Sequence, residues 1–439
     1  MKKRLLVFSA DALVHEDIAY LKTKPNFNRL LANASEVLGV RTIYPSVTYP
    51  AHTSMATGCY AGKHGICSNY TFAVDNKDDT WQWFHQNVKV KDILTAAKEK
   101  GYTTAAVFWP VTGNHPDVDW LLNEYWMPVP GDTQRHAFAR SGSSEEVLRI
   151  VDKNEHLLPP QHVNGGKKNM MIQPEIDRFL IGCACDIIRE YKPEVMLIHD
   201  GIMDGTRHKY GVFNEKTTEG LDFLDQQLGL VADALEEAGV FEDTDFVLVS
   251  DHGQRDFVRI LKLNVFLADR GLLDVDENGK VRDYKAYSIS NAMSTMVYLK
   301  EPDNKEVWQE VYDALDEMAR EGIYGFTRFF TREQTEERYG LSGDFSFVVE
   351  SDGYTSFSDS CRRPVIKEQD FTDFRFGRAT HGYQPELGPQ PVFLAKGPSF
   401  KQGLVLETRP IVDEAPTYAK LLGAELPDAD GTPIDEFLA

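Results

Sequence analysis

Cysteine is sparse in this 439-residue chain: Cys59, Cys67, Cys183, Cys185 and Cys361 form an odd set without zinc-ribbon spacing. A disulfide-stapled scaffold is thereby excluded, and reduced thiols in a cytoplasmic protein are expected. No stretch approaches the ~18–20 uninterrupted apolar residues of a membrane span. The opening MKKRLLVFSAD meets Asp11 too early for a secretory leader, so it reads as a first strand. The glycosylation-type patterns at Asn33 and Asn69 are then coincidental. Positive charge is in deficit, 47 Lys and Arg against 68 Asp and Glu, a net −21. That argues against a nucleic-acid scaffold or an anionic membrane as partner. A small anionic substrate stays possible if bound divalent cations reverse the field locally. Repeats, heptads and low-complexity tracts are missing too.

What is present is an alternation of apolar runs and amphipathic stretches. Strands are expected at 4–10, 36–43, 103–109, 194–199, 245–250 and 390–396, and helices at 26–34, 90–100, 174–192, 215–238 and 415–422. This order predicts an α/β fold, a mostly parallel central sheet with helices on both faces. Residues 110–172, with Trp120 and Trp126, read as a partly helical excursion off the sheet. Residues 261–375 change pattern, with a hairpin in GLLDVDENGKVRDY, a helix at 305–321 and a strand at 344–350. We read 1–260 with 376–439 as the main domain and 261–375 as a smaller α+β insertion.

Chemistry-bearing side chains stand just past the apolar runs. Asp11 follows LLVFSA, Asp204 and His208 follow VMLIHDGIM, Asp251 and His252 follow FVLVS, and His381 precedes a late strand. Ligands bind beyond the carboxyl ends of strands in open α/β sheets, and mixed carboxylates and imidazoles suit zinc, manganese or iron. Taken singly, an Asp after a strand is usually a turn or cap residue and the Asp204–His208 pair resembles a solvated helix face, whereas burying Asp251 and His252 together is costly without a partner. Thr48 precedes Tyr49-Pro50, and Pro50 can open a helix that Gly58 closes. The Thr48 hydroxyl is then either a helix cap or a nucleophile held against an anion at a helix N-terminus. GCYAGKH falls one residue short of a phosphate loop and lacks its Ser/Thr, so it is rejected.

Together these motifs resemble the alkaline phosphatase superfamily, in particular its type I phosphodiesterase/nucleotide pyrophosphatase branch. The resemblance rests on Asp11, on Thr48-Tyr49-Pro50-Ala51-His52, on Asp204-Gly-Thr-Arg-His208, on Ser250-Asp251-His252-Gly253 and on His381-Gly382-Tyr383, in this order. It implies two divalent metals, zinc first with manganese or iron as alternatives. One would be held by Asp204, His208 and His381, the other by Asp11, Asp251 and His252, with Thr48 as a metal-bound nucleophile. It further implies that Asn69, in HGICSNY, donates to a non-bridging phosphate oxygen, where a plain turn residue is the other reading. Tyr49 matches an aromatic that can stack on a base.

Two positions depart from the family pattern. His199 stands five before Asp204, where an aromatic is common, and Arg207 replaces a small residue before His208. Arg207 either holds a second anionic group or pairs with a carboxylate such as Asp200. His52, His64 and His199 are not assigned as ligands. The expected activity is hydrolysis of phosphodiester or pyrophosphate bonds in a small nucleotide-type substrate. A phosphomonoesterase, phosphonate hydrolase or phosphomutase is the alternative on the same fold, with Arg207 or Lys63 as phosphate clamp. A non-catalytic metal-containing binding protein is the alternative of another class.

Overall fold

The computed structural model describes residues 2–75, 80–125, 133–158, 173–370 and 376–439; Trp126 lies outside them. Six strands of its largest sheet are β1 (Arg4–Ala10), β2 (Ser35–Arg41), β3 (Thr104–Val107), β4 (Trp120–Leu122), β5 (Val195–Asp200) and β6 (Thr244–Val249). Phe393–Lys396 and Val405–Pro410 complete it, in the order Val405–Pro410, β2, Phe393–Lys396, β6, β1, β5, β3, β4. The block from β6 to β4 is parallel throughout, whereas Phe393–Lys396 runs antiparallel to both neighbours.

The central strands are apolar runs because both of their faces are covered. Along β1, Leu6 and Phe8 enter one core while Leu5 and Val7 enter the other, as the two-residue period of a strand requires. The first core lies under α1 (His15–Leu21), α2 (Pro25–Leu31) and the helices Glu175–Tyr191 and Glu215–Glu237. The second lies under α3 (Thr48–Thr57) and the helices Ile93–Glu99 and Glu414–Leu422. Since β6, β1 and β5 are adjacent and parallel, the residues following them emerge side by side at one edge of the sheet.

Within 261–375, Ala286–Asn291, Ser294–Leu299, Phe347–Glu350 and Arg328–Thr331 form a four-stranded antiparallel sheet with its own core, which includes the helix Lys305–Glu321. The hairpin expected in GLLDVDENGKVRDY pairs Leu273–Val275 with Val281–Tyr284. A buried bond from the Tyr44 hydroxyl to Glu350 (2.8 Å) ties this unit to the segment before α3.

Three elements differ from the sequence reading. Trp120 belongs to β4, an edge strand of the main sheet, so 110–172 is only partly an excursion. Val405–Pro410 is an unforeseen edge strand, largely exposed and polar, and so without an apolar signal. The helix after Ile43 begins at Thr48, two residues before Pro50. Pro50 is tolerated there because the first N–H groups of a helix have no intrahelical acceptor.

Candidate active site

Helix α3 sets the nucleophile candidate. Val47 is its N-cap residue and makes no side-chain cap bond, so Thr48 is the first helical residue rather than the cap. Gly58 ends the helix at φ 73°, its N–H bonded to Ser54 O at 2.8 Å. The Thr48 hydroxyl stands 3.3 Å from Nε2 of His252. Thr48 is 9% exposed and lines a cavity of about 600 Å³.

Asp11, Asp251 and His252 converge beyond β1 and β6. Their ligand-type atoms lie within 4.8 Å of one another. His252 Nε2 is 3.2 Å from Asp251 Oδ2 and 3.6 Å from Asp11 Oδ1. Donors bound at 2.0–2.1 Å around a tetrahedral cation are separated by about 3.3 Å, close to the distances from His252 Nε2 to Asp251, Asp11 and the Thr48 hydroxyl. Asp11 Oδ1 and Asp251 Oδ2 are buried with no hydrogen-bond donor among the described residues. Burial, and then the neighbouring carboxylates, push both acids well above the ordinary carboxylate range. One undonated oxygen on each of two neighbouring buried acids is a donor set that suits a cation.

Asp204, His208 and His381 form the second trio. Asp204 and His208 are one turn apart on the helix Ile202–Tyr210, with Oδ1 3.2 Å from Nε2. His381 Nε2 lies 4.0 Å from the same oxygen. His208 donates its other ring nitrogen to Ala379 O at 2.8 Å, the arrangement that leaves Nε2 for a metal. Burial holds His381 down at about 4 and His252 well below its usual value, so both offer lone pairs at neutral pH. The donor sets of both trios fit divalent cations of the zinc, manganese or iron type.

The other predicted residues fall as follows. Asn69 is buried beside the cavity, and its Oδ1 accepts from Tyr49 N–H at 2.9 Å, which turns Nδ2 away from the helix. Tyr49 is 0% exposed and packs on Trp81 (centroids 5.2 Å), so its ring has no open face for stacking. His52 is structural, bonding Thr48 O through Nδ1 and Ser9 Oγ through Nε2, both at 2.9 Å. His64 bonds Ser54 Oγ at 3.1 Å. His199 lies 3.1 Å from Asp11 Oδ2, leaving Oδ1 to the trio.

Arg207 corrects the sequence reading. It is fully buried and pairs with Asp17, two contacts at 2.8 Å, rather than with Asp200 or any group in the cavity. Lys63 is bonded to Asp430 at 2.9 Å and does not line the cavity. Neither serves as a phosphate clamp. No lysine or arginine occurs among the described residues that line the cavity.

Residues that sequence reasoning missed include Tyr70, Trp81, Glu124 and Gln173, and from the insertion Ser290, Asn291, Ala292, Ser356 and Phe357. None carries a local signal, because each reaches the cavity through tertiary packing alone. Burial raises the Glu124 carboxyl to about 8. A third trio, His85, Asp92 and His115, lies at the start of the helix Ile93–Glu99. There Asp92 caps the helix through Thr95 N–H (2.9 Å) and accepts from His115 Nε2 (2.8 Å). His115 Nδ1 accepts from Asp117 N–H at 3.1 Å, so the ring proton belongs on Nε2 and the trio is a capping network, not a cation site.

Known proteins similar to this chain are nucleotide pyrophosphatases/phosphodiesterases. Human ectonucleotide pyrophosphatase/phosphodiesterase family member 1 is 23% identical over 284 residues, 60% of this chain and 25% of that protein. Ectonucleotide pyrophosphatase/phosphodiesterase 1 of Saccharomyces cerevisiae is 22% identical over 388 residues, 82% of this chain and 48% of that protein. The chain thus spans about a quarter to a half of the length of these relatives. Murine ectonucleotide pyrophosphatase/phosphodiesterase 5, solved in an inactive threonine-to-alanine form in complex with AMP, superposes with a TM-score of 0.67 at 18% identity, covering all of both chains. The two share the alkaline-phosphatase-like fold. The profile of the type I phosphodiesterase/nucleotide pyrophosphatase family matches residues 5–384, and the chain belongs to that family.

Proposed function

We propose that the protein is a two-metal hydrolase of phosphodiester or pyrophosphate bonds in a small nucleotide-type substrate, working through a phospho-threonine intermediate. The observation that carries this reading is the Thr48 hydroxyl. It starts helix α3 without capping it, and it faces His252 at 3.3 Å beside two cation-ready trios. When bound, two divalent cations supply charge neutralisation at the phosphate and acidify the threonine hydroxyl, with zinc the first candidate and manganese or iron next.

The chain's own groups do the rest. Thr48 Oγ gives up its proton to solvent and attacks phosphorus in line, the bond to the leaving oxygen breaks, and that oxygen takes a proton from solvent. Water then attacks the phospho-threonine, breaking the Thr48–phosphorus bond and restoring the hydroxyl. The α3 dipole favours the anion at this end of the helix. Asn69, its Oδ1 held by Tyr49 N–H, has Nδ2 to donate to a non-bridging oxygen. A neutral amide matches the single charge of a diester, whereas a monoester dianion calls for arginine, which the described cavity lining lacks.

The test is paired turnover of bis-p-nitrophenyl phosphate and p-nitrophenyl phosphate by zinc- or manganese-loaded protein, with Thr48→Ala as control. We expect preference for the diester and loss of at least about 100-fold in kcat in Thr48→Ala with metal content retained. Preference for the monoester would move the reading to phosphatase or mutase chemistry. Two bound cations with no turnover of either ester would make it a binding protein.

A further inference from the structure

The two trios are built on different parts of the chain, and two buried side chains tie them together in opposite directions. Arg207 sits between Asp204 and His208 on the helix Ile202–Tyr210. Its guanidinium donates to Ala12 O and to Val212 O (3.2 Å) while gripping Asp17. Ala12 directly follows Asp11 and adopts a left-handed backbone, φ 58°, which a non-glycine residue holds only under constraint. Its N–H reaches Asp251 Oδ1 at 3.2 Å. Ala12 thus joins the helix of Asp204 and His208, through Arg207, to both acids of the other trio, Asp11 and Asp251.

The return tie is Gln254. It follows Asp251-His252-Gly253 and is 0% exposed. Its Nε2 donates to Asp204 Oδ1 (2.5 Å) and to Asp204 O (3.1 Å), across to the trio of Asp204, His208 and His381. The helix carrying Asp204 and His208 thus reaches the residue next to Asp11, and Gln254 reaches the Asp204 oxygen that also faces His208 and His381, as an outer donor to a ligand atom. Catalysis by a metal pair needs both cations at a fixed separation on one phosphate.

We propose that Arg207 and Gln254 are positioning residues that set the separation of the two cation sites. The inference rests on the two-metal reading above. Its consequence is a split between binding and chemistry: loosening either tie leaves each cation bound but misplaces the pair. A misplacement of about 1 Å costs on the order of 100-fold in rate.

The experiment compares wild type with Arg207→Lys, which keeps a charge for Asp17 but loses the fork to Ala12 and Val212, and with Gln254→Met, which keeps the volume and removes the donor. Three quantities are read on the manganese-loaded proteins: bound metal per chain, the exchange-coupled dimanganese EPR signal, and kcat against KM for bis-p-nitrophenyl phosphate. Two cations per chain in the variants, an altered EPR coupling and kcat down by about 10- to 100-fold at little-changed KM is the expected result. Unaltered coupling and kcat in both variants overturns it, as does loss of a cation, which would make the ties part of the ligand scaffold. If wild type itself binds no pair of cations, the two-metal reading fails instead. Should Arg207→Lys fail to fold, Gln254→Met alone decides.

Discussion

At the scale of single residues, the site is defined by what its groups lack. Asp11 and Asp251 each keep one buried oxygen, Oδ1 and Oδ2 respectively, without a hydrogen-bond donor, and burial and then neighbouring carboxylates favour their protonated forms. Replacing Asp251 by Asn should lower bound metal from about two per chain toward one and abolish diester turnover, because one of three protein ligands is lost; metal analysis after dialysis checks it, and unchanged stoichiometry would reject Asp251 as a ligand. These residues were legible in the sequence because each stands directly beyond an apolar run, where a strand must end. Arg207 was legible only as an oddity. Its partner Asp17 is 190 residues distant in the chain, and nothing local marks that pairing. Tyr49 was legible as an aromatic at the right place, but its burial against Trp81 is a tertiary fact.

At the scale of elements, α3 is the part whose ends matter most. Its start exposes a hydroxyl, and its stop depends on Gly58 in a left-handed conformation. An alanine Cβ there would lie 2.8 Å from Pro416 Cδ in the helix Glu414–Leu422. Gly58→Ala should therefore destabilise the protein by about 1–2 kcal/mol or more, through φ strain and that clash, as read from denaturant midpoints. Turnover at low temperature should persist, since Thr48 lies at the opposite end of the helix. The punctuation by Pro50 and Gly58 revealed this helix in the sequence, but not its first residue. Proline fits any position in the first turn, so it limits the start without fixing it. Short edge strands were less legible. Strand β4 offers three residues and Val405–Pro410 is exposed, so neither has the period or length that marks a buried strand.

At the scale of the molecule, the joint between the main sheet and the insertion carries a proton. Glu350 is buried where Tyr44 and the Gln384 N–H meet it, and burial raises its carboxyl to about 8 from an unfolded value of 4.5. The native state therefore holds a proton that the unfolded chain has released. This contribution is full below the unfolded value and is lost as pH rises toward 8, with a slope of up to about 1.4 kcal/mol per pH unit. Glu350→Gln should flatten this slope, so that the variant gains on wild type in Tm between about pH 5 and pH 8. Parallel melts of chelated protein would reveal it, and equal slopes would assign the proton elsewhere. The α/β class was legible from the alternation of elements. How the insertion meets the sheet was not, because the contacts join residues about 300 positions apart.

The sheet order has a temporal side. Strand β1 is made first, yet both of its neighbours, β5 and β6, come from beyond residue 194, and His381 follows later still. A nascent chain on the ribosome therefore presents Asp11 without Asp251 and His252, its companions in the trio, until about 240 further residues have been added. Domains fold as units once their parts have emerged. If the trios hold cations as proposed, the Asp11, Asp251 and His252 site can assemble only after β6 has emerged and the Asp204, His208 and His381 site only after His381, so a translation product that stops before Asp251 should take up no cation at either.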